Sequence, residues 1–200
     1  ISQNELSDKL DITRSSVAVH ISNLIKKGFI KGKGYVLSSL NQGVVVVGGS
    51  NIDITGFSND LMIDMDSNPG VVDTSLGGVG RNIAENLGRL GLDVKLISVV
   101  GNDPYGDRII DEGKKAGMDM SLVSRSNTNQ TSVYLQILDD HRDLKVAISD
   151  MKIVEEITVE RLKSHVNHLN SAKVIVADGN LSKEVVDYLV DHYGEKLFFD

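Results

Sequence analysis

An α/β fold is predicted for most of this chain: a parallel sheet flanked by helices, with a small β lid, preceded by a small helix-turn-helix module. Three observations carry that prediction. From Gly43 onward, short β-branched runs alternate with helix-length segments, as β-α units do. Two further strand-like segments are joined by a short polar turn, the pattern of an antiparallel hairpin. The first 40 residues have helical periodicity and the opposite charge sign to the remainder.

The N-terminal elements come first. Ser2-Gln3-Asn4-Glu5 has the spacing of a capping box, in which hydroxyl and carboxylate satisfy free amides at a helix start. Leu6 and Leu10 then share one helical face. A turn at Asp11-Ile12-Thr13 leads to a second helix with an apolar stripe of Val17, Ile21, Leu24 and Ile25, ended by Gly28. Phe29 to Leu37 reads as a β-ribbon with a basic, glycine-containing tip.

Helix, turn, helix and basic ribbon together resemble a winged helix-turn-helix module whose first helix would precede Ile1. The resemblance implies that the second helix enters the DNA major groove, with Arg14, Ser15, Ser16, Val19 and His20 near base edges and Lys31 and Lys33 at phosphates. The alternative is a module of ordinary solvated charges used for packing or for forming a homodimer.

In the body, Val44–Val47, Lys95–Val100, Val174–Ala177 and Leu197–Phe199 are predicted strands. Asn82–Leu90, Gly106–Lys115, Thr158–Leu169 and Ser182–His192 are predicted helices. Thr131–Leu138 and Leu144–Ser149, joined by Asp139-Asp140-His141-Arg142-Asp143, form the predicted hairpin. The domain boundary falls at residues 40 and 41, and a lid is expected from about residues 54–76 and 131–149.

Composition bounds the function. The chain has 200 residues, 40% of them apolar, enough for a substantial core in one medium unit beside a small one. No window approaches the roughly 18 consecutive apolar residues of a membrane span, and the polar start lacks signal-peptide features, so a cytoplasmic protein is expected. The absence of cysteine removes disulfides, thiolate nucleophiles and the usual structural zinc sites. Residues 1–40 hold six basic and three acidic side chains, whereas the whole chain carries a net charge of -7. A basic module on an acidic body points to two units with different partners.

Two segments carry the chemistry. The first predicted strand runs into Gly48-Gly49-Ser50-Asn51-Ile52-Asp53. Ligands in open α/β sheets bind beyond the carboxyl ends of strands, and residues 51 and 53 point the same way in extended chain. A carboxylate beside an amide suits the vicinal hydroxyls of a ribose. The competing reading of Asp53 is a turn cap or a partner for a surface cation.

The second segment, Leu76-Gly77-Gly78-Val79-Gly80-Arg81-Asn82, leads into a helix closed by Gly91. It is not a dinucleotide fingerprint, because Ile83 replaces the third glycine, and no P-loop pattern occurs anywhere in the chain.

These two segments, followed by Val100-Gly101-Asn102-Asp103-Pro104-Tyr105-Gly106, resemble the first signature of the PfkB-type ribokinase family, over residues 43–200. Ser67 to Gly70, Gly77 to Leu87, Thr131 to Leu135 and Ala147 to Met151 are similar to pseudouridine kinases in particular. The resemblance implies a ribokinase-like fold and an ATP-dependent kinase for the 5′-hydroxyl of pseudouridine, or for ribose or another nucleoside. It implies that Asp53 and Asn82 bind ribose hydroxyls, that Asn51 lines the pocket, and that the Gly77 and Gly78 backbone approaches the sugar. Arg81 would hold the base or a phosphate, and Thr131 and Asp150 would read the base. Asn180, beyond the third strand, is a further pocket candidate.

The family's second signature, with its catalytic aspartate, does not occur before Asp200, nor does its Mg²⁺-associated segment. ATP and Mg²⁺ are therefore expected to be held mainly by a further half of the protein, the chain is expected to be a truncated one, and a monovalent-cation requirement stays open. A rival of another class is a regulator in which a kinase-like body senses a sugar or nucleoside and the module binds DNA. His165 and His168, three residues apart on a predicted helix, lack a third metal ligand and read as solvated.

Overall fold

A computed structural model describes residues 3–26 and 43–200. The chain divides into two compact units, Ile1–Asn41 and Gln42–Asp200. Among the described residues no helix is long and apolar enough to cross a membrane.

The first unit contains α1 (Gln3–Leu10) and α2 (Arg14–Lys26). The Thr13 hydroxyl accepts a hydrogen bond from the Ser16 amide (3.2 Å) and so occupies a free donor at the start of α2. Val17 and Ile21 are buried against Leu6. Leu10, Leu24 and Ile25, expected on the same apolar faces, are exposed and lie outside the cluster of Leu6, Val17 and Ile21. The predicted ribbon at 29–37, with Lys31 and Lys33, lies outside the described residues, as do Ser2 and Gly28.

The second unit runs β1 (Val44–Val47), β2 (Asn51–Ser58), β3 (Gly70–Gly77), α3 (Val79–Arg89), β4 (Val94–Gly101), α4 (Pro104–Lys115), β5 (Val123–Ser126), β6 (Ser132–Leu138), β7 (Leu144–Asp150), α5 (Val159–Ser164), α6 (Val166–Ser171), β8 (Val174–Ala177), α7 (Lys183–Tyr193) and β9 (Leu197–Phe199). Five strands form a sheet in the order β5-β4-β1-β8-β9, every pair parallel. Period-two alternation sends Val45, Val47, Ile97 and Val99 into a core with α5, α6 and α7. Val46, Leu96 and Val100 pack on the opposite face against Ala84 of α3 and Ile109 of α4. Burial on both faces explains why these strands are near-continuous apolar runs. Each such side chain contributes roughly 1.5–3 kcal/mol by leaving water.

A second, four-stranded sheet has the order β3-β2-β6-β7, with β2 and β6 parallel and the outer pairs antiparallel. The β6–β7 hairpin matches the sequence prediction. Its turn is closed by the Asp139 carboxylate, which accepts from the His141 and Asp143 amides (3.0 and 2.9 Å). Strands β2 and β3, for which no separate strand bounds are predicted, fall largely in the segment expected as β lid, about residues 54–76. They mix strand formers such as Ile54, Phe57, Val71 and Val72 with Gly, Asn and Asp, which strands disfavour, and pairing over eight consecutive positions compensates.

The single helix predicted over 158–169 is two. His165 leaves the helical region (φ -107°, ψ 15°), and Leu162 and Leu169, one on each side of the break, are both fully buried.

Candidate functional site

Sheet order reverses direction at β1: β4 and β5 lie on one side, β8 and β9 on the other. A crevice therefore opens beyond the carboxyl ends of β1 and β8, where open α/β sheets bind ligands. Gly48, Gly49 and Ser50 carry the chain from β1 straight into β2, so one short link joins the two sheets at this point.

Glycine is required here by contact. A Cβ on Gly48 would stand 2.5 Å from Asp178 Cβ and 2.9 Å from Gly80 Cα, and one on Gly80 would stand 2.7 Å from Gly48 Cα. Gly78 precedes α3 with φ 98°, a left-handed conformation that side chains disfavour.

Asp178, 1% exposed, is the hub of this junction. One carboxylate oxygen accepts from the Gly49 amide (3.0 Å) and the Gly80 amide (3.1 Å). The other accepts from the Asn180 amide and Asn180 Nδ2, both at 2.8 Å. The Arg81 amide donates to Gly49 O (3.1 Å). These early α3 amides are thus used within the protein, and the positive end of the helix faces a buried carboxylate. The Gly80 and Arg81 amides are thus spent on packing the junction, while Gly78 and Val79 line the cavity above it.

A cavity of about 920 Å³ lies over the junction, walled by both sheets. Asn51 and Asp53 enter from β2 on one face, as the extended-chain argument predicts, and Asn51 Nδ2 donates to Asp53 Oδ1 at 2.6 Å. Asn82 enters from α3, and Gly78 lines the floor. Sheet register brings Tyr134 beside Asp53 and Ser149 beside Tyr134. Asp150 follows at the end of β7, with Lys152 and Glu155 from the short helical turn after it, and Asn180 and Ser182 from the far side. The arrangement offers a carboxylate and several amides and hydroxyls to a polyhydroxylated ligand.

Of the residues nominated from sequence, Asn51, Asp53, Gly78, Asn82, Asp150 and Asn180 line the cavity, and Gly77, Arg81 and Thr131 do not. Gly77 pairs with Asn51 across β2 and β3 and clears space behind the Asn51–Asp53 pair. Arg81 is corrected: its side chain is 6% exposed and its guanidinium is bound by Glu85, Gly77 O, Leu76 O and Asn82 Oδ1, which leaves it turned into the protein.

Thr131 is corrected as well. It is 1% exposed, donates to Asp103 through both its amide (2.8 Å) and its hydroxyl (2.7 Å), and accepts from the Gly101 amide (2.9 Å). Asp103 also caps α4 through the Gly106 amide (2.8 Å). Burial opposes its charge, but the hydrogen bonds from Thr131 and Gly106 outweigh that and hold its carboxyl below the usual range. Thr131 therefore ties the start of β6 to α4.

Tyr134, Ser149, Lys152, Glu155 and Ser182 are not nominated from sequence, and of the segment Asp178-Gly179-Asn180 beyond the third strand only Asn180 is. Tyr134 and Ser149 are found only through register, since nothing local in β6 or β7 says which residue stands opposite Asp53. Among the described residues no group of three or more His, Asp or Glu gathers as a cation site.

Comparison with known proteins agrees with this architecture. The sequence profile of the pfkB family carbohydrate kinases matches residues 41–195, and a profile described as winged helix-turn-helix DNA-binding matches residues 1–31. An uncharacterized sugar kinase of Escherichia coli strain K12, YeiI, is 42% identical over 94% of this chain and 52% of its own length. The pseudouridine kinase of the same organism is 41% identical over 74% of this chain and 48% of its own. The solved structure of a carbohydrate kinase from Agrobacterium tumefaciens superposes with a TM-score of 0.71 at 28% identity, covering 78% of this chain and 52% of that one. The chain spans about half the length of these relatives. With a family profile covering most of its length and a parallel sheet whose switch point carries the site, the chain belongs to the PfkB family of carbohydrate kinases.

Proposed function

We propose that this chain supplies the acceptor-binding part of an ATP-dependent kinase that phosphorylates the 5′-hydroxyl of pseudouridine. The observation that carries the reading is the Asn51–Asp53 pair facing Asn82 in a cavity at the sheet's switch point. Asp53 accepts from one ribose hydroxyl, and Asn82 completes the contact to its neighbour. Asp178 holds the three loops that carry these groups. Asp150, an acceptor at the cavity wall, reads the additional ring N–H that pseudouridine has and uridine lacks. Uridine lacks that donor and forgoes the contact, and because Asp150 is exposed the preference is that of one lost hydrogen bond. The second sheet acts as a lid, carrying Tyr134, Ser149 and Asp150 over the nucleoside. ATP is the co-substrate and Mg²⁺ accompanies its phosphates, neutralising charge there when bound. The likeness to a pseudouridine kinase supports the choice of acceptor.

Full-length protein assayed with ATP against pseudouridine, uridine and ribose tests the proposal. Preference for uridine or free ribose overturns the choice of acceptor and favours the broader reading, a kinase for ribose or another nucleoside. Asp53→Ala should lower kcat/KM by roughly 10²-fold, the effect of losing hydrogen bonds to a charged group. Unchanged kinetics in that variant removes Asp53 from the site.

A second reading concerns the first unit, where Arg14, Val19 and His20 are exposed along α2 within a segment matched by a DNA-binding profile. We infer that α2 docks in a DNA major groove and that binding weakens steeply with salt. Absence of any complex between the full-length protein and duplex DNA at low ionic strength rejects it.

A further inference from the structure

Arg81 is buried, and each face of its guanidinium is accounted for. Nε donates to Gly77 O at 3.1 Å, Nη2 donates to Leu76 O at 3.3 Å and to Asn82 Oδ1 at 2.6 Å, and Nη1 pairs with Glu85. Glu85 is itself gripped by Arg89, at 2.8 Å to Nε and 2.6 Å to Nη2. Burial works against the Glu85 charge, yet Arg89 and Arg81 together hold its carboxyl below the usual range, so it stays an anion that anchors the guanidinium from behind.

This anchoring has a consequence one residue along the helix. A guanidinium carries only donors, so the Asn82 atom that meets it must be the carbonyl oxygen. Turning the amide over would set an NH₂ group against a cation whose position Glu85, Gly77 and Leu76 already hold. Arg81 occupies one of the two Oδ1 lone pairs and fixes which way the amide points, so Nδ2 is the end of Asn82 that serves a ligand as donor. Across the cavity, Asn51 Nδ2 is committed to Asp53 Oδ1, and the free Asp53 Oδ2 is an acceptor.

We propose that Arg81 is a positioning residue that fixes the hydrogen-bond polarity of the acceptor site. It does so by holding Asn82 as a donor opposite the Asp53 acceptor, which selects a vicinal diol with one hydroxyl donating and the other accepting. The inference rests on the reading of Asn82 as an acceptor-binding residue. Arg81 itself touches no substrate, and its effect is on discrimination between ligands.

The experiment uses full-length protein with ATP and compares kcat/KM for pseudouridine with kcat/KM for its 2′-deoxy and 3′-deoxy analogues. Wild type penalises the analogue that lacks the hydroxyl served by Asn82, and Asn82→Ala abolishes that penalty. Arg81→Met should shrink the same penalty by about tenfold, equivalent to about 1.4 kcal/mol. In an Asn82→Ala background Arg81→Met should change it no further, since the effect passes through Asn82. Arg81→Lys keeps the charge pair with Glu85 but not the planar fork, so it preserves folding while still reducing the penalty.

A purely structural arginine gives a different result. Arg81→Met and Arg81→Lys would then lower thermal stability and reduce kcat/KM equally for all three acceptors, with the penalty intact, and that outcome overturns the inference. If Asn82→Ala leaves the penalty unchanged, the Asn82 assignment has failed first and the role of Arg81 falls with it. The two failures are thereby distinguished.

Discussion

Gly77→Ala is the sharpest perturbation of the site, because it adds one methyl group without replacing any ligand-facing side chain. The new Cβ would lie 2.5 Å from Asp53 Oδ2, 2.6 Å from Asp53 Oδ1 and 2.6 Å from Asn51 Nδ2. Ordinary contacts need roughly 3.5 Å, so the Asn51–Asp53 pair must move by on the order of 1 Å. Misplacement of a binding group on that scale costs about 10²-fold in catalysis. The pair can shift into the open cavity, so the stability cost should be only about 1–2 kcal/mol. We expect kcat/KM of the full-length enzyme for pseudouridine to fall by about 10²-fold while the unfolding midpoint changes modestly. Gly91→Ala is the control: φ is 80° and nothing lies within 4 Å of the added Cβ, so it strains the backbone far from the cavity and should cost roughly 1 kcal/mol with kinetics unchanged. A folded Gly77→Ala enzyme with kcat/KM within about threefold of wild type would refute the placement of Asp53 at the acceptor.

Asp178→Asn should destabilise the chain by roughly 3 kcal/mol in urea unfolding, since in either orientation its NH₂ group would meet donors in a buried site, those of Gly49 and Gly80 or those of Asn180; a change below about 0.5 kcal/mol would contradict the hub role. Thr131→Val leaves the Gly101 amide without its acceptor and should cost about 1–3 kcal/mol while the KM for the acceptor stays at the wild-type value, whereas a raised KM would return Thr131 to the binding site. Asp119 loses water contact on burial, but hydrogen bonds from Lys95 (2.6 Å) and Ser121 outweigh that and pull its carboxyl down to about 2 from 3.8. The folded value lies below the unfolded one, so the stabilisation is complete above pH 3.8 and is lost as pH falls through about 2. Screening of this half-exposed pair limits it to about 1 kcal/mol, and Asp119→Asn should flatten the acid limb of the stability profile by that amount.

The body of the fold was legible where one periodicity decides the outcome. Val44–Val47 and Val174–Ala177 match their predicted strands residue for residue, because strands buried on both faces must be continuous apolar runs. The 51/53 pairing was legible for the same local reason, since alternate residues of an extended chain share a face. The bounds of strands β2 and β3 were not, because Gly, Asn and Asp interrupt their strand formers and the register of their pairing is set between separate segments. Arg81 and Thr131 misled for a common reason. A polar residue in a motif looks the same in sequence whether it faces a ligand or satisfies buried carbonyls and carboxylates. By itself the sequence determined the α/β class, the family resemblance, and the two segments that meet at the site. Tertiary structure alone decided which side chains face the cavity, because that depends on strand register and on which buried groups must be hydrogen-bonded, and both are set by contacts between residues distant along the chain.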